Sequence, residues 1–255
     1  MSKTPPAGPA LCEGIDELLA PALRVTSKVT GSKNDPNLAS IVEAMWRTIA
    51  ANWVDGQCQW RGERNWRSKL CETLADRNTS EEVKLNRTLA RELAKTNPDA
   101  WANEVPTGSG LAAKGASEPG GLDFAHFPRE GQVVLIELKV TSNTPASAAF
   151  QVVIYGLMLH LAQRVHQRLL PHRRKIKISE KWSKADVIDL RVLAPTTYYL
   201  PHLNLRSFET ALRNEVADFG KKRNLSMSFG FRCFDEKPSN EQTLRAALAR
   251  EVPWQ

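Results

Sequence analysis

Residues 133–140 (VVLIELKV) alternate with a period of two. Val134, Ile136, Leu138 and Val140 fall on one face, Glu137 and Lys139 on the other. This predicts a strand with one apolar face. Upstream, residues 121–127 (GLDFAHF) read as a second short strand, and PREG at 128–131 as a turn. So short a connection predicts an antiparallel hairpin. Thr144-Pro145 has the form of an N-cap followed by proline at the first helical position. The helix it opens is expected to reach about Leu169, and is apolar nearly all round from Ala146 to Leu161, hence buried. Residues 187–194 form the next strand. Strand, helix, strand implies a right-handed crossover and a parallel pair. A helix over 207–223, a strand over 227–234 and a last helix to about Glu251, opened by a Ser239/Gln242 capping box, complete this half.

The first half reads as helical. Ile41, Met45 and Ile49 mark a helix over 37–54, and Trp66, Leu70 and Leu74 one over 63–77. Ser80, before Glu81 and Glu82, caps a helix over 80–95. Residues 106–121 are a glycine-rich loop; Lys114 lies between Ala113 and Gly115, which excludes a phosphate-binding Gly-Lys-Ser/Thr loop. Residues 1–35 are expected to be a flexible arm with one short helix near 13–23. Residues 36–255 are expected to form a single α/β domain. Its mixed β-sheet is flanked by helices, with extra helices at the N-terminal side, a core over about 60–195 and an α/β extension over 196–255.

Composition narrows the class. With 255 residues, 42% hydrophobic and 25% charged, the chain excludes wholesale disorder, collagen and coiled coil. No apolar run approaches the ~18 residues of a membrane span, and residues 1–10 lack a signal-peptide pattern. Cys12, Cys58, Cys71 and Cys233 are scattered without zinc spacing, which fits a reduced, cytoplasmic protein. His160, His166 and His172 are six apart and read as surface or packing residues. Of the tryptophans, Trp46, Trp53, Trp60, Trp66 and Trp101 are expected in the core, while Trp182 could stack on a base. The net charge is +7. Residues 164–184 hold eight basic side chains against Glu180 alone, a stripe suited to a polyanion.

On the first hairpin strand Leu122 and Phe124 face one way and Asp123 the other, so Asp123 can converge on one face beside the hairpin with Glu137 and Lys139 of the second strand. Each is costly to bury alone. Two carboxylates can hold a hard divalent cation, with the Leu138 carbonyl as third donor, and Lys139 can orient a water or steady a phosphate. A plain salt bridge between Glu137 and Lys139 is the competing reading.

Gly121-Leu122-Asp123, thirteen residues, then Glu137-Leu138-Lys139 resembles the signature of the PD-(D/E)XK nuclease superfamily. Leu122 stands where the family has proline, a departure the RecB-like branch permits. Gln151 and Tyr155, i and i+4 on the following helix, are similar to that branch's Q-x-x-x-Y motif. The order helix, hairpin, helix, strand is also the family's core order. The resemblance implies a restriction-endonuclease-like fold and an extra acid from a helix before the hairpin. Glu63 fits, within about 20° of Leu70 and Leu74 on a helical wheel, though it equally suits an i, i+4 pair with Arg67. Glu104 is the second candidate.

By the same resemblance Asp123 and Glu137 bind Mg²⁺ directly, with Mn²⁺ able to substitute, and Glu63 acts through water or at a second ion. Lys139 positions or deprotonates the attacking water. Gln151 and Tyr155 orient the site or contact DNA. Arg64, Arg67 and Lys69 grip the backbone, while Arg164, Arg168, Arg173, Arg174 and Lys175 carry the flanking duplex. The expectation is a metal-dependent deoxyribonuclease of defence, repair or mobile-element processing. Specificity would come from a homodimer or a partner protein. The alternative is a nucleic-acid-binding module of the same fold that needs a partner for cleavage or does not cleave.

Overall fold

The computed structural model describes residues 11–25, 37–53, 66–71, 80–107, 121–167 and 178–254. Two helices, α1 (Ile15–Val25) and α2 (Ile41–Asn52), precede α3 (Glu81–Thr96). Three strands follow: β1 (Trp101–Pro106), β2 (Gly121–His126) and β3 (Gln132–Leu138). Then come α4 (Pro145–His166), the short α5 (Glu180–Ser183), β4 (Val187–Pro195) and the short α6 (Thr196–Tyr199). The chain closes with α7 (Leu205–Lys221), β5 (Ser226–Phe234) and α8 (Glu241–Ala249). The sheet order is β1-β2-β3-β4-β5. β1, β2 and β3 are antiparallel neighbours, and β3, β4 and β5 run parallel, so the sheet is mixed.

The predicted hairpin forms because Gly131 supplies the left-handed turn residue, at φ 76°. The strand alternation sorts the two sheet faces. Val133 and Leu135 pack with α1, α2, α4 and α7. Ile136 and Leu138, with Val134 and Val140 at the margin, pack with Leu85, Leu89 and Leu93 of α3 and Leu244 of α8. Thr144 caps α4 by accepting from the Ser147 N–H (3.2 Å), with Pro145 at the first turn. By length and composition α4 could cross a membrane, but 89% of its apolar window is buried inside the fold. It is a core helix, apolar all round because it is covered all round.

The parallel edge is closed by side chains rather than left open. Glu209 of α7 accepts from the Phe231 N–H (2.9 Å), Arg213 donates to the Phe229 carbonyl (3.3 Å), and the Arg250 carbonyl takes the Cys233 N–H (3.1 Å).

Several expectations change. β1 answers to no element expected from the sequence, where only 106–121 is a loop; six residues with no clean alternation carry little strand signal, and pairing with β2 makes the strand. The helix over 63–77 is absent in its described part, 66–71. Trp66 has φ 58°, donates its N–H to the Pro106 carbonyl (2.9 Å) and buries its indole edge-on against Trp182. The apolar residues there serve anchoring beside β1, which outweighs a weak helical period. The expected arm is partly docked: Leu11, Ile15, Leu19 and Ala22 are buried in the main core. The last helix is capped one residue later, by Asn240 with Thr243. The helix expected to reach Leu169 ends at His166, and residues 168–177 lie outside the described set.

Gly156 sets how closely α4 seats on the sheet: a Cβ there would fall 2.9 Å from Leu190 Cδ2. Gly156→Val is expected to destabilise the fold by about 1–3 kcal/mol, read as a lower urea midpoint at unchanged secondary structure. An unchanged midpoint would mean that α4 and β4 do not meet this closely.

Candidate active site

The site lies where the hairpin opens. β2 and β3 pair through Phe124↔Ile136, Ala125↔Leu135 and His126↔Val134, and the ladder stops there. At the next position the Asp123 side chain takes over, its Oδ2 accepting from the Leu138 N–H at 2.8 Å. On its other side the ladder to β1 also has a gap: Asn103 pairs with Phe124 and Val105 with Leu122, leaving Glu104 opposite Asp123 at φ 47°. The register is the same on both sides of this gap, with one residue on each strand, yet the facing of β2 reverses across it. Leu122 therefore packs with the α4 side and Phe124 with the α3 side, whereas simple alternation put them on one face. Asp123 sits at the crossover point.

Glu137 and Lys139 share a face, as their spacing predicts. Glu137 Oε1 and Lys139 Nζ are 2.7 Å apart. Both are buried, Glu137 to 1% and Lys139 to 7% exposure. The second oxygen, Glu137 Oε2, is buried with no hydrogen-bond partner among the described residues. Leu138, between them, donates its N–H to Asp123 and packs its side chain on the opposite face. Gln151 and Tyr155 do form one unit. Gln151 Nε2 donates to the Tyr155 hydroxyl (2.9 Å), which donates to the Gly121 carbonyl (3.1 Å), tying α4 to the start of β2 two residues from Asp123.

Electrostatics follows from crowding. Burial, opposed by Lys139 and the Leu138 N–H, raises the Asp123 carboxyl from its ordinary 3.8 to about 6. Burial and the neighbouring Asp123 charge push Glu137 well upward. Burial acts against a charged Lys139, but Glu137 and then Asp123 outweigh it and hold the ammonium above its ordinary range. A third acid, Glu82 in the first turn of α3, also acts on all three groups. Burial alone would raise it, yet bonds from the Val140 N–H and from Ser142 leave it lowered. Its Oε1 accepts from the Val140 N–H (3.0 Å), the Ser142 N–H (3.2 Å) and the Ser142 hydroxyl (2.7 Å). Sequence reasoning treated Glu82 only as a capping-turn acid. The usable signal was its place on the helix immediately before the strands.

The other expected residues divide. Glu63, Arg64, Arg168, Arg173, Arg174 and Lys175 lie outside the described residues. Arg67 donates to the carbonyls of Asn103 (3.4 Å) and Glu104 (3.1 Å) rather than standing free, while Lys69 is exposed. Glu104 accepts from Asn86 (3.1 Å). Arg164 is half-buried, its Nε enclosed without a hydrogen-bond partner among the described residues. Trp182 is wholly buried against Trp66 and Phe127, so it is no stacking platform. His160 packs on Trp46, as expected.

Among the described residues no group of three or more His, Cys, Asp or Glu side chains is arranged to hold a metal. The donor set at the fork is nonetheless all oxygen, and the orphaned Glu137 Oε2 is the kind of atom a hard cation satisfies. Three carboxylates there face one ammonium, an excess of negative charge that a divalent ion would balance. No family model, curated protein or solved structure matches the chain.

The folded chain takes a proton on Asp123 near pH 6, the unfolded chain near 4, so between those values the folded form binds more protons. Stability from this group therefore falls as pH rises through that window, and the deficit is complete above it. Asp123→Asn, whose amide oxygen can still accept from Leu138, is expected to stabilise the protein in EDTA by roughly 1–3 kcal/mol at pH 7.5 and to do little at pH 4. Thermal unfolding at both pH values checks this; equal effects at both would contradict it.

Proposed function

We propose that the chain is a divalent-metal-dependent nuclease that hydrolyses DNA phosphodiester bonds, of the PD-(D/E)XK kind with the RecB-like glutamine–tyrosine pair. The observation that carries the reading is the meeting of Asp123, Glu137 and Lys139 at the hairpin fork with Glu137 Oε2 unpartnered. The order α3, β2–β3 hairpin, α4, β4 supports it, since this is the order the motif resemblance implies. So does the Gln151–Tyr155 bond, which makes one working unit of the motif's two residues.

Asp123, Glu137 and the Leu138 carbonyl would hold a Mg²⁺ or Mn²⁺ ion. When bound, such an ion supplies Lewis acidity toward water and the phosphoryl group. Lys139, kept protonated by its carboxylate neighbours, acts as a donor: it orients the attacking water and meets charge that develops on the phosphate oxygens. Water adds to phosphorus, the bond to one sugar oxygen breaks, and a phosphomonoester and a hydroxyl result. Tyr155 and Gln151 fix the first residue of β2, which keeps Asp123 in place. Glu82 contributes the third negative charge from α3, the part in which Glu63 was expected. Lys69 is the exposed basic group beside β1 for backbone contact.

Lys139→Ala would leave Glu137 buried without its partner, a loss of about 3–5 kcal/mol in comparable pairs. Lys139→Met, alone and with Glu137→Gln to remove both charges, is the cleaner test. Supercoiled plasmid and single-stranded DNA are incubated with each in Mg²⁺, Mn²⁺ or EDTA. Metal-dependent cutting by the wild type should fall at least ~100-fold in both variants. Full cutting by Lys139→Met overturns the assignment. No cutting by the wild type, with DNA binding that weakens steeply with salt, would instead favour a non-cleaving binding module.

A further inference from the structure

We propose that Asn86 of α3 and Asn103 of β1 are positioning residues for Asp123, linking it to the 66–71 segment. What Asp123 then does rests on the nuclease reading; where it is held does not.

Both amides are buried, to 1% and 0% exposure. A buried amide is costly unless its donors and acceptor are used. Asn86 Nδ2 donates to Glu104 Oε1 (3.1 Å) and to the Asp123 carbonyl (3.4 Å). Asn86 Oδ1 accepts from Asn103 Nδ2 (3.1 Å). Asn103 then clasps Cys71 from both sides, accepting from its N–H (2.6 Å) and donating to its carbonyl (3.2 Å). The chain of bonds thus runs from Asp123 through α3 and β1 to residue 71.

Its placement is what gives it a role. Asp123 lies where both neighbouring ladders are interrupted, the one to β3 ending at Phe124 and the one to β1 skipping Glu104. Asn86 holds the main chain of Asp123 at that gap, and the Leu138 N–H holds its carboxylate. The unpaired position on β1 is itself strained, since Glu104 is a non-glycine residue at φ 47°. It is kept there by Arg67 on its carbonyl and by Asn86 on its carboxylate. Gly121 lets β1 and β2 stay close beside it: a Cβ would lie 3.3 Å from the Val105 carbonyl oxygen.

The test is Asn86→Leu, which keeps the branching without polar atoms, with Asn86→Ser as a smaller change should the first not fold, and Asn86→Gln as the variant that keeps an amide. Hydrogen exchange of the Leu138 amide, which bonds Asp123, is measured in the metal-free protein. Mn²⁺ binding is measured by calorimetry, and DNA cleavage as kcat and KM. In Asn86→Leu the Leu138 amide should exchange at least about tenfold faster, while amides of α4 and β4 stay within about twofold of wild type. Mn²⁺ should bind about 10–100-fold more weakly, and kcat should fall by a similar factor at unchanged KM. Asn86→Gln should recover part of each. A Leu138 amide that does not change, or that changes by the same factor as α4, overturns the proposal, since the asparagines then merely fill the core. If the wild type neither binds Mn²⁺ nor cuts DNA, the nuclease reading fails, and the metal-free exchange alone upholds or overturns the positioning role.

Discussion

Glu137 and Asp123 have one ammonium between them, in a part of the sheet where water is nearly excluded. Glu137 is closed off by α4 on its own face and by its bond to Lys139. A single buried ion pair can be near neutral in energy when its geometry is good. Here a second carboxylate sits across the fork and a third, Glu82, acts from the end of β3. Burial first, and then the charge one lysine leaves unbalanced, raise the Asp123 and Glu137 carboxyls. Groups with this imbalance are costly to keep, and chains keep them where the charge has a use.

The rest of the fold is disposed to hold that arrangement still. β3 is fixed on both flanks, to β2 by antiparallel bonds and to β4 by a parallel ladder that continues through the Lys139 N–H to the Leu193 carbonyl. Just beyond Lys139 the chain turns under double restraint. Glu82 accepts its N–H groups, and the Tyr198 hydroxyl donates to the Ser142 and Asn143 carbonyls. The same turn runs directly into the Thr144 cap of α4. Lys139 therefore stands between a strand and a capped core helix, and its side chain has little freedom to leave the carboxylates. Asp123 differs: its strand has parted from β3, its own position is unpaired in the ladder to β1, and side-chain bonds to Asn86 and the Leu138 N–H help define its place.

That contrast explains what the sequence could reveal. Period-two alternation in β3 is local, and it correctly assigned Glu137 and Lys139 to one face and Leu138 to the other. The Thr144-Pro145 start of α4 and the apolar surround of that helix are also local. The Gln151–Tyr155 contact followed from helical spacing alone. Alternation failed at Leu122 and Phe124 because the facing reverses at the unpaired Asp123–Glu104 position, where Glu104 takes φ 47° on a strand whose own residues carry no strand period. The helix expected over 63–77 is absent in its described part, 66–71, because Trp66 and Cys71 bond to β1, a partner that pattern alone does not reveal. Glu82 escaped notice because its partners, Val140 to Ser142, are 58 to 60 residues away. Local signals located the charged residues that meet at the fork; the contacts that hold them there are nonlocal.

Charge acts at two ranges in the proposed reaction. The whole chain is at +7, so at distances near the Debye length of about 8 Å a polyanion is drawn toward the protein. At contact distance the sign reverses, because three carboxylates outnumber Lys139 and a phosphodiester meets net repulsion. Lys139 cannot relieve this alone, since its ammonium is already bonded to Glu137 Oε1. A divalent cation held by Asp123 and Glu137 would add two positive charges and make the same position attractive to a phosphate. Attraction to nucleic acid and competence to react with it are then separate properties. The first belongs to the surface and weakens with salt; the second belongs to the fork and depends on the ion.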